Sequence, residues 1–255
     1  MSLTQEQKDF IRPILETFEN DDIKKFAAIL VSDFPEYIWK VGASSTAKYH
    51  PAYTLGEYGL MKHQVAVCRF MNFFLELEQY QNRYDSRQRD CMRVAALVHD
   101  GRKSGAQEDF EKNKYTKFDH PLLMAKVVAS YVGKDIIPDE EIKFIARCIG
   151  THMGQWNEDK RSDIVLPKPT AEPQELVHLA DYLASRKCLN MDFSDYAVPE
   201  KEIEIPSLDS FKMPFGKHKN TLLKDIPRDY LQWLKGTDLN EPLKTLVDKV
   251  LKAEK

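Results

Sequence analysis

The chain has 255 residues, 42% hydrophobic and 30% charged, and its 37 Lys+Arg against 40 Asp+Glu leave a formal net charge of -3. That is enough for one large domain, or one domain with a small appendix, of ordinary soluble composition. The charge balance excludes a generally basic nucleic-acid coat and an acidic disordered tail. No stretch approaches the roughly 18 uncharged apolar residues of a membrane helix, so no membrane partner is expected.

The opening MSLTQEQKDF has no basic segment followed by an apolar one, and no secretory signal is expected from it. Cys68, Cys91, Cys148 and Cys188 are far apart, form no C-x-x-C pair and sit in apolar helical contexts. They read as reduced, mostly buried thiols of a cytoplasmic protein.

Most of the chain reads as helix. Thr4 with Gln7 makes a capping box before Phe10, Ile11, Ile14, Leu15 and Phe18, with Pro13 expected to kink or restart that helix. Ile23, Phe26, Ala27 and Leu30 continue a second face after the cap candidates Asn20 and Asp21. From Leu60 to Leu77 apolar residues recur with a period of about 3.6. Cys91, Val94, Ala95, Leu97 and Val98 form a buried helix running up to His99, and Pro121–Val132, Asp139–Ile149 and Pro173–Leu189 read the same way. Strand signals are nearly absent before residue 205. The polar segments 101–116 and 154–173 are long for simple connections and are candidates to carry function.

Composition changes after Met191. The stretch DFSDYAVPEKEIEIPSLDS, with two prolines, several acids and little periodicity, reads as a linker or extended arm. The expected organisation is a domain over 1–192, the arm over 193–210 and a small basic module over 211–255. In that module FKMPFGKHKNTLLKDIP suggests a short hairpin with its turn near 218–220. A short helix at 229–234 is expected to bury Tyr230, Leu231 and Trp233. Asn240 is a cap candidate for a last helix, with Pro242 in its first turn. From Phe211 to Lys235 six basic residues face two acids.

Chemistry concentrates in the histidines and aspartates. Seven histidines are present, and one, His99, stands beside Asp100 at the end of an apolar helix. Two polar side chains arriving together at the end of a buried element each need a partner, and a divalent metal suits imidazole beside carboxylate. His63, His120, His152 and Asp181 stand in similar apolar helical surrounds. Taken singly, any one of them could be a hydrogen-bonded core residue.

The order H…HD…H…H…D, with the contexts GLMKH, AALVHD, DHP and HLAD, resembles the HD superfamily of metal-dependent phosphohydrolases from about Leu60 to Arg186. The resemblance implies an all-α HD-domain helical bundle, followed here by a small α+β C-terminal module. His63, His99, Asp100 and Asp181 match the four-ligand core, and His120 and His152 match the additional histidines of two-metal members. Asp100 would then bridge two divalent ions, manganese, iron, magnesium or zinc, because a mixed imidazole and carboxylate shell does not select sharply. Such an ion lowers the pKa of bound water and holds phosphoryl oxygens. No other nucleophile is evident: there is no G-x-S-x-G elbow and no cysteine with an activating base.

Gly101 and Arg102 depart from the family's usual H-D-I-G-K form, while Lys103 keeps the lysine position. With Asp100, Lys103 is expected in a catalytic role and Arg102 as a substrate contact, against the alternative that Arg102 and Lys103 are only a solvated loop edge; in the insertion before His120, Lys114 and Lys117 are candidate phosphate contacts. His50 lies in a segment similar to that before the first ligand helix of HD exoribonucleases, and is either a substrate contact or a surface-loop histidine. His178, one turn before Asp181, reads as a structural hydrogen-bonding group.

Met213–Leu234 resembles a small module that follows the catalytic domain of some X-type bacterial DNA exonucleases. Lys217 and Lys219 are its candidate phosphate contacts. The combination favours hydrolysis of nucleic-acid phosphodiesters, a 3′–5′ exonuclease being one form. The alternative is an HD nucleotidase or nucleotide phosphodiesterase acting on small molecules. A binding module with a vestigial site is disfavoured because every ligand position is filled. The sequence leaves protein partners unknown.

Overall fold

The computed structural model describes residues 3–44, 50–197, 206–237, 239 and 242–252. The chain divides into two compact units, Met1–Val198 and Pro199–Lys255.

The first unit is helical, in the order α1 (Gln5–Leu15), α2 (Asp21–Ser32), α3 (Gly59–Glu76), α4 (Glu78–Gln81), α5 (Ser86–Val98), α6 (Gln107–Lys112), α7 (His120–Ala129), α8 (Asp139–Gly150) and α9 (Glu172–Ala184). Short 3₁₀ turns at Glu36–Trp39 and Ala52–Thr54 precede α3. Thr4 and Gln7 form the reciprocal capping box of α1. Pro13 lies inside α1 and does not divide it. Its missing N–H removes one helical bond two residues before the helix ends, where the loss is small.

α5 is the central element. Its capping box is Asp85 with Gln88, and every residue from Asp90 to Val98 is buried. It packs on α2, α3, α8 and α9. A helix buried on all sides must pair whatever polar groups it carries. Asp90 accepts the main-chain N–H of Glu19 and Asn20 and the amide of Asn20, and Arg93 is 2.7 Å from it. The α7–α8 and α3–α9 pairs flank this axis.

Local details fix where α3 begins. The Tyr58 N–H donates to the Trp39 carbonyl at 2.8 Å, and Tyr58 takes a left-handed φ of 58°. At Gly59 a Cβ would stand 2.2 Å from the Thr54 carbonyl oxygen, so only glycine lets the chain pass this close. The polar segment after Asp100 is not a bare loop. It contains α6, whose Phe110 stacks on Tyr37 at 4.4 Å, while the Tyr37 hydroxyl donates to the Gly105 carbonyl and accepts the Ser104 N–H.

The start of the expected arm packs on the helices. Phe193 meets Tyr53 and Tyr196 meets Phe10, and Arg69 lies over both arm rings. Residues 198–205 of the arm lie outside the described residues. Cys68, Cys91 and Cys148 are buried, Cys188 is exposed, and all four are free thiols. Among the described residues no helix is long and apolar enough to cross a membrane.

The second unit holds a 3₁₀ turn at Leu223–Asp225, α10 (Arg228–Lys235) and α11 (Leu243–Lys252). Met213, Leu223, Ile226, Leu231, Leu234, Leu243, Leu246 and Val247 form its core. Two expectations are corrected here. The hairpin amounts to an isolated antiparallel bridge between Lys212 and Leu222 with no strand formed among the described residues, which does not support an α+β unit. Trp233 is not a core ring but 62% exposed. α10 buries Leu231 and Leu234, three residues apart, and Trp233 falls off that face. Asn240 lies outside the described residues.

Candidate metal centre

Five helices deliver the histidine and aspartate residues to one place. His63 comes from the second turn of α3, His99 and Asp100 from the end of α5, His120 from the start of α7, His152 from just beyond α8, and Asp181 from α9. These four histidines and Asp100 are at most 2% exposed. Asp181, with a side chain 21% exposed, is the member that meets solvent.

The rings are aimed by the main chain. The Nδ1 atoms of His99, His120 and His152 lie 2.9, 2.6 and 2.8 Å from the carbonyls of Ala96, Lys117 and Ile149, each three residues back. A carbonyl only accepts, so each Nδ1 carries the hydrogen, and in the neutral ring Nε2 is left as the inward ligand atom.

Asp100 divides its oxygens between two histidine pairs. Oδ2 lies 3.5 Å from His99 Nε2 and 3.8 Å from His63 Nε2. Oδ1 lies 3.0 Å from His120 Nε2 and 3.7 Å from His152 Nε2. Asp181 Oδ1 closes the first side, 3.0 Å from His63 Nε2 and 3.6 Å from His99 Nε2.

The donor set fits a divalent cation. His99 Nε2, His63 Nδ1 and Asp100 Oδ1 are buried polar atoms with no hydrogen-bond partner, an expensive arrangement for groups answering only to one another. His63, His99 and Asp181 form one group, and His99, Asp100 and His152 another, whose ligand atoms lie within 4.8 Å of one another.

The carboxylates and His152 are held in their metal-binding protonation states by their neighbours. Burial would raise the Asp100 carboxyl, but Lys103, His99 and His120 hold it well below the usual range. Burial likewise opposes a charged Asp181, and His63 and His99 keep it ionised. His152 is pushed down to about 3 by burial and by its neighbours His99 and His120, so it stays neutral.

Around the centre, Lys103 Nζ sits 2.5 Å from Asp100 Oδ2. Its carbonyl accepts the Lys117 N–H. Lys103 and Lys114 line a narrow cavity of about 170 Å³ with Gly42, Ser104 and Thr116. His50 is half-buried in a bend, its ring 5.6 Å from that of His63, and burial, helped by His63 and Lys103, lowers its pKa to about 4. A wider cleft of about 750 Å³ reaches His120 between Tyr115, Phe118, Met153 and Arg161.

Two expected substrate contacts are engaged elsewhere. Arg102 donates to the carbonyls of Gly101 and Asp33, and Lys117 pairs with Asp109 at 2.9 Å. In the second unit Lys217 and Lys219 are exposed. His178 donates its Nδ1–H to the His152 carbonyl at 2.7 Å. Gly154, at φ 56°, passes so close to this ring that a Cβ would meet it at 2.3 Å. His178 therefore holds the loop that carries His152.

The sequence reading missed Trp156, Tyr182 and Arg186, which pack beside this loop. A tryptophan in an otherwise polar connection was the one signal that could have found them.

The arrangement is a buried shell of imidazoles and carboxylates able to bind divalent metal. An HD domain is found at residues 63–186. HD domains bind divalent metals and are generally metal-dependent hydrolases, and that family region spans every member of the cluster. Residues 201–243 match a family described as "Putative quorum-sensing-regulated virulence factor"; the X-type exonuclease module is not among the matches. No curated protein and no solved structure matches the chain.

Proposed function

We propose that this HD protein is a two-metal phosphohydrolase that cleaves nucleic-acid phosphodiesters. The observation that carries the metal reading is the division of Asp100, one oxygen toward His63 and His99 and the other toward His120 and His152. A carboxylate so placed would bridge two ions, with Asp181 completing the first set. Divalent cations held there supply a nucleophilic water near neutral pH and charge to match the phosphoryl oxygens.

The rest is the work of this chain's side chains. The carbonyls of Ala96, Lys117 and Ile149 fix three rings before any ligand arrives, so little reorganisation is needed. Lys103, paired with Asp100, is placed to contact a phosphate oxygen and to hold Asp100 ionised. Lys114 adds positive charge to the same cavity, and His50 borders His63 with a buried, unpartnered Nδ1.

The second unit supports a polymeric substrate. Lys217 and Lys219 are exposed, as are Phe215 and Trp233. Lysines neutralise phosphates and open aromatic faces stack on bases. The 3′–5′ exonuclease form of the reading rests on sequence resemblance. A nucleotidase acting on small nucleotides is the second reading, favoured by the narrowness of the cavity between Lys103 and Lys114.

The test is a panel of oligonucleotides and mononucleotides offered to the manganese-loaded chain. Faster hydrolysis of oligonucleotides supports the first reading; hydrolysis of mononucleotides alone replaces it with the second.

A further inference from the structure

Trp156 is an unusual residue for a connection between helices. Its ring stacks on Tyr182 at 5.6 Å with an interplanar angle of 15°. The His178 ring meets it at 5.7 Å and 62°. On Tyr182, in turn, lies the Arg186 guanidinium, 4.3 Å from the ring centroid. Yet Trp156 is 45% exposed. A tryptophan serving only to anchor its loop would bury the ring. Tyr182 takes one face of the indole and His178 meets it edgewise, and nearly half of the residue is still left to solvent.

The position of this ring is informative. Tyr182 follows Asp181, the one cluster member open to solvent. His178 is tied to the carbonyl of His152. The exposed indole thus packs on the residue that follows Asp181 in α9 and on the histidine that is hydrogen-bonded to the His152 carbonyl. A flat, exposed ring backed by Tyr182, in the loop that carries His152, suits a base, because every base has a π-face and stacking does not require sequence recognition.

We propose that Trp156 is a stacking platform for a base of the substrate, holding the nucleoside while its phosphate lies at the cluster. The proposal rests on the phosphohydrolase reading and assigns the residue that would hold the base in either form of it.

The test compares adenosine 5′-monophosphate with ribose 5-phosphate, which carries the same phosphate and no base. Affinities for the full chain are measured by calorimetry on chelated protein, and KM on manganese-loaded protein. Loss of one stacked base corresponds to about a 5- to 150-fold weakening. The wild-type chain is expected to prefer the nucleotide by a factor in that range, Trp156→Ala to bring the ratio toward one, and Trp156→Phe to restore most of it. In a Trp233→Phe background, the nucleotide and not the sugar phosphate is expected to quench indole fluorescence, which reads the platform even if the alanine variant folds poorly.

A wild-type chain with no preference for the nucleotide, or a Trp156→Ala chain with an unchanged ratio, overturns the platform. Hydrolysis that persists beside an unchanged ratio removes the platform and leaves the phosphohydrolase reading standing. Trp156-dependent nucleotide binding without hydrolysis of any phosphate ester does the reverse. A parallel titration with a six-residue oligoadenylate assigns the source of the base: tighter Trp156-dependent binding of the oligomer indicates a polynucleotide, and equal affinity a mononucleotide.

Discussion

The Nε2 atoms of His120 and His152 face each other at 3.2 Å, and each ring has already given its Nδ1–H to a main-chain carbonyl. In neutral rings those nitrogens carry lone pairs, which repel at that distance unless a positive charge stands between or beside them. A cation that also takes Asp100 Oδ1 removes the conflict. His152→Ala is therefore expected to cut bound manganese from two ions to one, read by elemental analysis, and to reduce hydrolysis by more than about 100-fold. Unchanged stoichiometry would place the second ion elsewhere.

Arg87 ties α2 to α8, donating to Asp22 and to Glu141. The Arg87 guanidinium holds the Asp22 carboxyl below its ordinary value of 3.8. A carboxyl depressed in the fold stabilises above its unfolded pKa, and that stabilisation is lost as pH falls through the folded one. The melting temperature should be insensitive to this pair from neutral pH down to about 5 and decline further below about 4. Arg87→Met should flatten the acid decline, by a modest amount because the pair is partly solvated. An identical acid profile in both proteins would contradict the assignment.

Asp90 is buried in α5 and answers three N–H donors as well as Arg93. Asp90→Ala leaves those donors and a nearly buried guanidinium short of a partner. The cost should be about 3 kcal/mol, at the low end for a broken buried pair because Glu19 still reaches Arg93. For a unit of this size the melting temperature should fall by roughly 6 to 12 °C. A shift under about 2 °C would show that water already satisfies the site.

Much of this was legible in the residues. The helices carrying His63, His99 and Asp181 have strong apolar periodicity, and the H…HD…H…H…D order marked the positions that the fold brings together. What the sequence did not show depends on direction. Arg102 is close to Asp100 in the chain, but its long side chain turns to the Asp33 carbonyl, and nothing in the order of residues says which way it leaves the turn. Lys117 is neutralised by Asp109, eight positions back, only because α6 folds there. Tyr230, Leu231, Trp233 and Leu234 offer more apolar surface than one side of an eight-residue helix can bury, and the choice of Leu231 with Leu234 was made by the core they meet. His50 had no periodicity to place it; its proximity to His63 is a tertiary fact.

The exposure of Trp233 sharpens the expectation for the second unit. Trp233→Ala in the full chain should weaken binding of single-stranded oligonucleotide by about 1–3 kcal/mol with little change in salt dependence. Lys217→Glu with Lys219→Glu should instead lower the log–log salt slope by about 0.7 for each phosphate that is no longer neutralised. If neither change alters affinity or slope, this unit does not bind the substrate, and the small-nucleotide reading moves ahead.

The central claim is that the six-residue cluster holds catalytic metal, and chelation with metal replacement tests it most directly. Hydrolysis of a small phosphodiester by the full chain should vanish once elemental analysis shows the protein to be metal-free. It should return on addition of manganese, but not in Asp100→Ala, which should bind no stoichiometric metal while keeping its helical circular dichroism. A verified metal-free chain that hydrolyses the ester at its original rate, or an Asp100→Ala chain with full metal content and turnover, would contradict the account.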